Sequence, residues 1–134
     1  MLAFGAGTVA TYTRTHFESN EARVTGGAIS ATIQSTSFVT DCKLTGNRAS
    51  KGAAIYVDDA SKLVVKNSFF KDNVATQIGG ADIFAILALI TIEAEYDGTE
   101  TNWRHSPCFV SNLTATLMNL KGKKLTGARD RFSR

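Results

Sequence analysis

The sequence predicts an all-β chain wound as a single-stranded parallel β-helix, a solenoid of about three coils. Three observations point there. One pattern of residues recurs three times at nearly constant spacing, the stretches between its fixed positions are short and alternating, and eleven glycines stand beside a single proline in 134 residues. A fixed period governs every later inference, because a repeat unit buries its apolar side only against its neighbours. Proline would remove an N–H donor wherever stacked strands need one, so its scarcity agrees with continuous pairing.

The first coil, near residues 9–33, opens on Val9, Thr11, Thr13 and Thr15 alternating with Ala10, Tyr12 and Arg14, a strand pattern. It continues through Phe17, Asn20, Ala22, Gly26, Gly27 and Ile29. The second coil, near 34–59, repeats this as Leu44, Asn47, Ala49, Gly52, Ala53 and Ile55. The third, near 60–86, begins with Leu63, Val65 and Asn67 alternating with Val64 and Lys66, and then carries Phe70, Asn73, Ala75, Gly79, Gly80 and Ile83. The asparagines are spaced by 27 and 26 residues, the isoleucines by 26 and 28. Leucine-rich repeats have a similar period, but their LxxLxLxxN pattern is absent, and short runs rich in Thr and β-branched residues fill each period instead.

Coils stacked at about 4.8 Å place equivalent side chains over one another. Phe17, Leu44 and Phe70 are then one inward apolar stack, and Ile29, Ile55 and Ile83 another. Ala22, Ala49 and Ala75 fit inside where the coil narrows. Asn20, Asn47 and Asn73 are expected to form an asparagine ladder, their amides bonded above and below while their backbone adopts the left-handed conformation of a corner. Gly26-Gly27, Gly52-Ala53 and Gly79-Gly80 mark a second corner that needs positive φ or close backbone approach.

The pairing of FxxN with GGA[ILV] in tandem resembles the repeats of the chlamydial polymorphic membrane proteins. FxxN reads FESN at 17–20 and FKDN at 70–73, with LTGN at 44–47; the GGA element reads GGAI at 26–29, GAAI at 52–55 and GGADI at 79–83, the last with Asp82 as an extra residue. The resemblance covers about residues 9–84. It implies a right-handed β-helical passenger of a secreted or surface-exposed protein, placed outside the cell or at the outer membrane, used in adhesion or host contact, with a protein or glycan as partner. That family also carries a secretion signal and a membrane barrel, neither of which is expected in this chain.

Beyond residue 90 the pattern fades. LITIEAEYDGTETNW still alternates and suits a partial fourth coil, while CFVSN at 108–112 restores an FxxN without a glycine pair. Phe109, Leu113, Leu117 and Leu120 also fit a helical stripe, so residues 91–120 are expected to form a partial coil or a short helix capping the core; a truncated or wrongly joined end is the alternative. Residues 121–134 hold six Lys and Arg against one Asp and form a basic, flexible tail, whereas residues 1–120 hold nine against eleven. The body is therefore mildly acidic and no nucleic-acid partner is expected. The apolar run Ile83–Ile92 is half the length of a membrane-crossing helix, and MLAFGAGTVATYTR lacks the basic start of a signal peptide.

The same solenoid fold serves polysaccharide lyases and hydrolases, which need clustered carboxylates on one outer face. Asp58-Asp59 reads as the polar end of a strand. Glu93, Glu95 and Asp97 share one face of an alternating strand and read as a solvated face without a basic partner. His16 sits in a repeat position that tolerates any residue, and His105 with Cys108 supplies two metal ligands only. Cys42 and Cys108 form no CxxC and read as buried free thiols, with a disulfide as the alternative. Gly5-Ala6-Gly7 is a lone GxG, and Asn112-Leu113-Thr114 is a sequon relevant only on a eukaryotic secretory route. The expectation is thus a non-enzymatic repeat segment with no catalytic residue, cofactor or metal; the alternatives are a fragment of a β-helical polysaccharide-cleaving enzyme and an incomplete gene fragment.

Overall fold

In a computed structural model the chain is all-β, with no helix among the described residues, and its strands stack in parallel as a β-solenoid of about three turns. The structure describes residues 1–77 and 82–96, with side chains as far as residue 91, and the strand backbones 108–110, 114–118 and 129–130. The first turn holds β1 (Leu2–Phe4), β2 (Val9–Thr13) and β3 (His16–Glu18). The second holds β4 (Ile29–Thr32), β5 (Thr36–Thr40), β6 (Lys43–Thr45) and β7 (Arg48–Ala49); the third holds β8 (Ile55–Val57), β9 (Lys62–Lys71) and β10 (Val74–Ala75). The same ladders run on through β11 (Ile83–Ile86), β12 (Leu89–Tyr96), β13 (Cys108–Val110), β14 (Thr114–Met118) and β15 (Arg129–Asp130).

Strands of successive turns pair to give three walls: β1-β4-β8-β11-β13-β15, then β2-β5-β9-β12-β14 with β3-β6 joining β9, and the short pair β7-β10. The first part of the stretch expected as a fourth partial coil is β12, laid along β9, and its residues 97–103 lie outside the described residues. The expected capping helix is not formed: Phe109 lies in β13, paired with β11, and Leu117 in β14, paired with β12. An open strand edge exposes a row of N–H and C=O groups, and another strand satisfies them where a helix does not. Leu113 and Leu120 lie outside the described residues.

The register places the expected stacks inside. Phe17 stands over Leu44 and Phe70, and Ile29 over Ile55 and Ile83, all buried. Such side chains contribute roughly 1.5–3 kcal/mol each when fully buried. Ala49 pairs with Ala75, both buried, while Ala22, on the terminal turn, is half-buried. At the glycine corner Gly26 and Gly52 have φ of 60° and 58°, and a Cβ there would stand 2.5 Å from the Ile29 carbonyl oxygen and 2.6 Å from that of Ile55. Gly27 is different: a Cβ on it would collide with the carbonyl oxygens of Ala53 and Arg48 in the next turn, so close approach alone selects glycine. Gly79 and Gly80 lie outside the described residues.

The asparagine ladder runs through all three turns. Asn20 Nδ2 donates to Asn47 Oδ1 at 2.9 Å, Asn47 Nδ2 to Asn73 Oδ1 at 3.0 Å, and Asn73 Nδ2 to Asp82 Oδ1 at 2.9 Å. The backbone N–H groups of Asn20 and Asn47 donate to the same oxygens, and the amides of Asn47 and Asn73 also reach back to the carbonyls of Phe17 and Leu44. The left-handed backbone expected at these asparagines belongs instead to the residue before each: Ser19, Gly46 and Asp72 have φ of 54°, 64° and 55°. That residue makes the corner, which aims the following side chain inward.

Two further corners are built alike. Arg14, Asp41 and Asn67 are left-handed ahead of Thr15, Cys42 and Ser68, and Gln34, Ala60 and Leu87 ahead of Ser35, Ser61 and Ala88. In each, a small polar group bonds across the turns: Cys42 N–H donates to Ser68 Oγ at 3.1 Å, and Ser35 N–H to Ser61 Oγ at 3.2 Å. Gly5-Ala6-Gly7 forms the turn between β1 and β2, where Thr8 N–H donates to the Gly5 carbonyl at 3.0 Å and both glycines have positive φ.

Candidate functional site

Residues of β4, β8 and β11 alternate between core and outer face, so the isoleucine column points inward and its successors Ser30, Tyr56 and Phe84 point outward in register. Tyr56 and Phe84 stack with ring centroids 5.8 Å apart and planes 7° from parallel, forming with Ile86 an apolar cluster separate from the core. Lys51 Nζ lies over both rings, 5.7 Å and 5.5 Å from their centroids, within cation–π range. Both rings are nonetheless buried, at 9% and 2% exposure.

Beside them, where β8 ends, a shallow recess of about 240 Å³ is lined by Tyr56, Asp58, Asp59, Ile86 and Leu87. Asp58-Asp59 does end the strand at a turn, Asp59 having φ of 56°. Tyr56 Oη donates to Asp58 Oδ2 at 2.7 Å. Burial, chiefly, with the Asp58 hydrogen bond and the charges of Asp58 and Asp59, pushes the Tyr56 hydroxyl well above its ordinary value of 10.0. The phenol is therefore held neutral, a donor already committed to Asp58. The other carboxylate oxygen, Asp58 Oδ1, is shielded from solvent and has no hydrogen-bond partner. A buried carboxylate oxygen without a donor is costly.

The remaining candidates do not converge. In β12 Glu93 pairs with Lys66 and Glu95 with Phe69, the shift of register between Glu93 and Ala94 falling where β9 holds Asn67 as an extra residue; Asp97 lies outside the described residues. His16 is exposed, with Nε2 2.9 Å from Thr45 Oγ1, and pairs in register with Lys43, which pairs with Phe69. Cys42 is a free, buried thiol that donates to the carbonyls of Thr40 at 3.2 Å and Tyr12 at 3.4 Å. Cys108 is a backbone position of β13, and His105, Asn112 and Leu113 lie outside the described residues. Among the described residues no three of His, Cys, Asp or Glu group closely enough to hold a metal ion. The sequence reading missed Lys51, Phe84, Ile86 and Leu87; the signal available was the aromatic that follows the repeated isoleucine, Tyr56 after Ile55 and Phe84 after Ile83.

No family model, no curated protein and no solved structure matches the chain.

Proposed function

We propose that this chain is a non-enzymatic β-helical segment of a surface-exposed or secreted protein and acts as a binding or adhesion platform for a protein or glycan at a cell surface. The observation that carries the reading is the register itself: successive turns hold outward residues in columns at fixed spacing, as in Thr13, Thr40 and Lys66, and a carboxylate-lined recess opens where β8 ends. A rigid repeated face suits recognition because little conformational freedom is lost on binding. The FxxN and GGA[ILV] resemblance supports placement outside the cell.

Incubation with acidic polysaccharides, with and without calcium, tests the non-enzymatic part. The expected result is no change in the polymer; new unsaturated or reducing ends would overturn it in favour of a polysaccharide-cleaving fragment.

A further inference from the structure

We propose that the recess lined by Tyr56, Asp58, Asp59, Ile86 and Leu87 receives a lysine or arginine side chain of a partner polypeptide. This rests on the binding-platform reading and names the chemistry of its ligand.

Three properties of the recess select that ligand. Its polar groups are acceptors: Asp59 is exposed, the carboxylate of Asp58 lies beside it, and the one hydroxyl present, Tyr56 Oη, already donates to Asp58 Oδ2. Its charge is negative, for the ion pair among the described residues is Arg48–Glu21, and neither Asp58 nor Asp59 has one. Its wall is aliphatic, formed by Ile86 and the half-exposed Leu87. A sugar needs donors as well as acceptors and an open aromatic face, yet the Tyr56 and Phe84 rings are buried at 9% and 2% exposure. A group that only donates, carries positive charge and hangs on an aliphatic stem fits each property: the stem lies on Ile86 and Leu87 while the head meets Asp59 in the field of Asp58.

The test is a titration of the full chain with a blocked Gly-Lys-Gly peptide and its arginine counterpart, followed through the methyl signals of Ile86 and Leu87. A norleucine peptide of the same length supplies the uncharged control, and a neutral oligosaccharide the competing ligand class. The lysine or arginine peptide is expected to shift these signals saturably, at least about tenfold more tightly than norleucine, and more weakly as salt rises. Asp58→Asn is expected to weaken binding by about tenfold. Asp59→Asn keeps the fold, since asparagine adopts positive φ readily, and is expected to weaken binding severalfold. Equal binding of norleucine, saturation by the oligosaccharide alone, or unchanged affinity in Asp59→Asn would overturn the assignment. Polymer cleavage in the polysaccharide assay would sink the platform reading and leave these shifts standing, so the two failures are distinguishable.

Discussion

The corner at Asn20, Asn47 and Asn73 and the corner at Thr15, Cys42 and Ser68 do the same job with different strictness. Both follow a left-handed residue, and both turn a polar side chain inward to bond a neighbouring turn. At the first, one amide must accept from two donors of the turn before and donate to a carbonyl and to the next amide, and among side chains of that size only asparagine offers both functions. At the second, a single atom accepts one N–H, and a hydroxyl is enough. Residue identity is fixed where a side chain must serve both neighbours and drifts where it serves one.

Asn47→Ala would test that contrast most severely. It leaves Asn73 Oδ1, the Phe17 carbonyl and two groups of Asn20 short of partners, so a loss of about 3–5 kcal/mol is expected in chemical denaturation. Asn20→Ala, at the exposed end of the ladder, should cost only about 1 kcal/mol; equal losses would show that the amides act singly and not as a chain. Next in size is Gly27→Ala, which asks whether close approach fixes identity as firmly as bonding does. Its Cβ meets backbone of the next turn, which cannot rotate away, and about 2–3 kcal/mol should be lost, against about 1 kcal/mol for Gly7→Ala, where only positive φ opposes the change.

Ser37 offers the opposite sign. It is fully buried, its Oγ has no partner, and its register neighbours are Ala10 and Leu63. Ser37→Ala should raise stability by about 1 kcal/mol, read as a higher denaturation midpoint with unchanged slope; a loss would mean the hydroxyl is satisfied after all. Smallest is Cys42→Ser, which puts at one turn the residue already present at the next. A change within about 0.5 kcal/mol is expected, whereas a loss like that of Asn47→Ala would erase the distinction between the corners.

The same contrast explains how much could be read in advance. The Phe17, Leu44 and Phe70 stack, the isoleucine stack, the asparagine ladder and the glycine corner were legible because volume, bonding or approach restricts each to one or two residue types. The left-handed positions were not, because Arg, Ser, Gln, Asp, Asn, Ala and Leu all occupy them. Backbone there is dictated by the fold at a cost of roughly 1–2 kcal/mol for an ordinary residue, which leaves no compositional trace. The recess was hidden for a related reason. Asp58 and Asp59 were noticed as a pair, but Ile86 and Leu87 join them only through the pairing of β8 with β11, and a single repeat does not show which outward columns lie beside which strand end.

The bonds that tie one turn to the next have a consequence for how the chain is made. Asn47 waits for Asn73, Cys42 for Ser68 and Ser35 for Ser61, each 26 residues later. A nascent chain lengthening at about 5–20 residues per second supplies that partner in about 1–5 s. Each of these three contacts can therefore close soon after the next turn emerges, and the delay is the same for all of them.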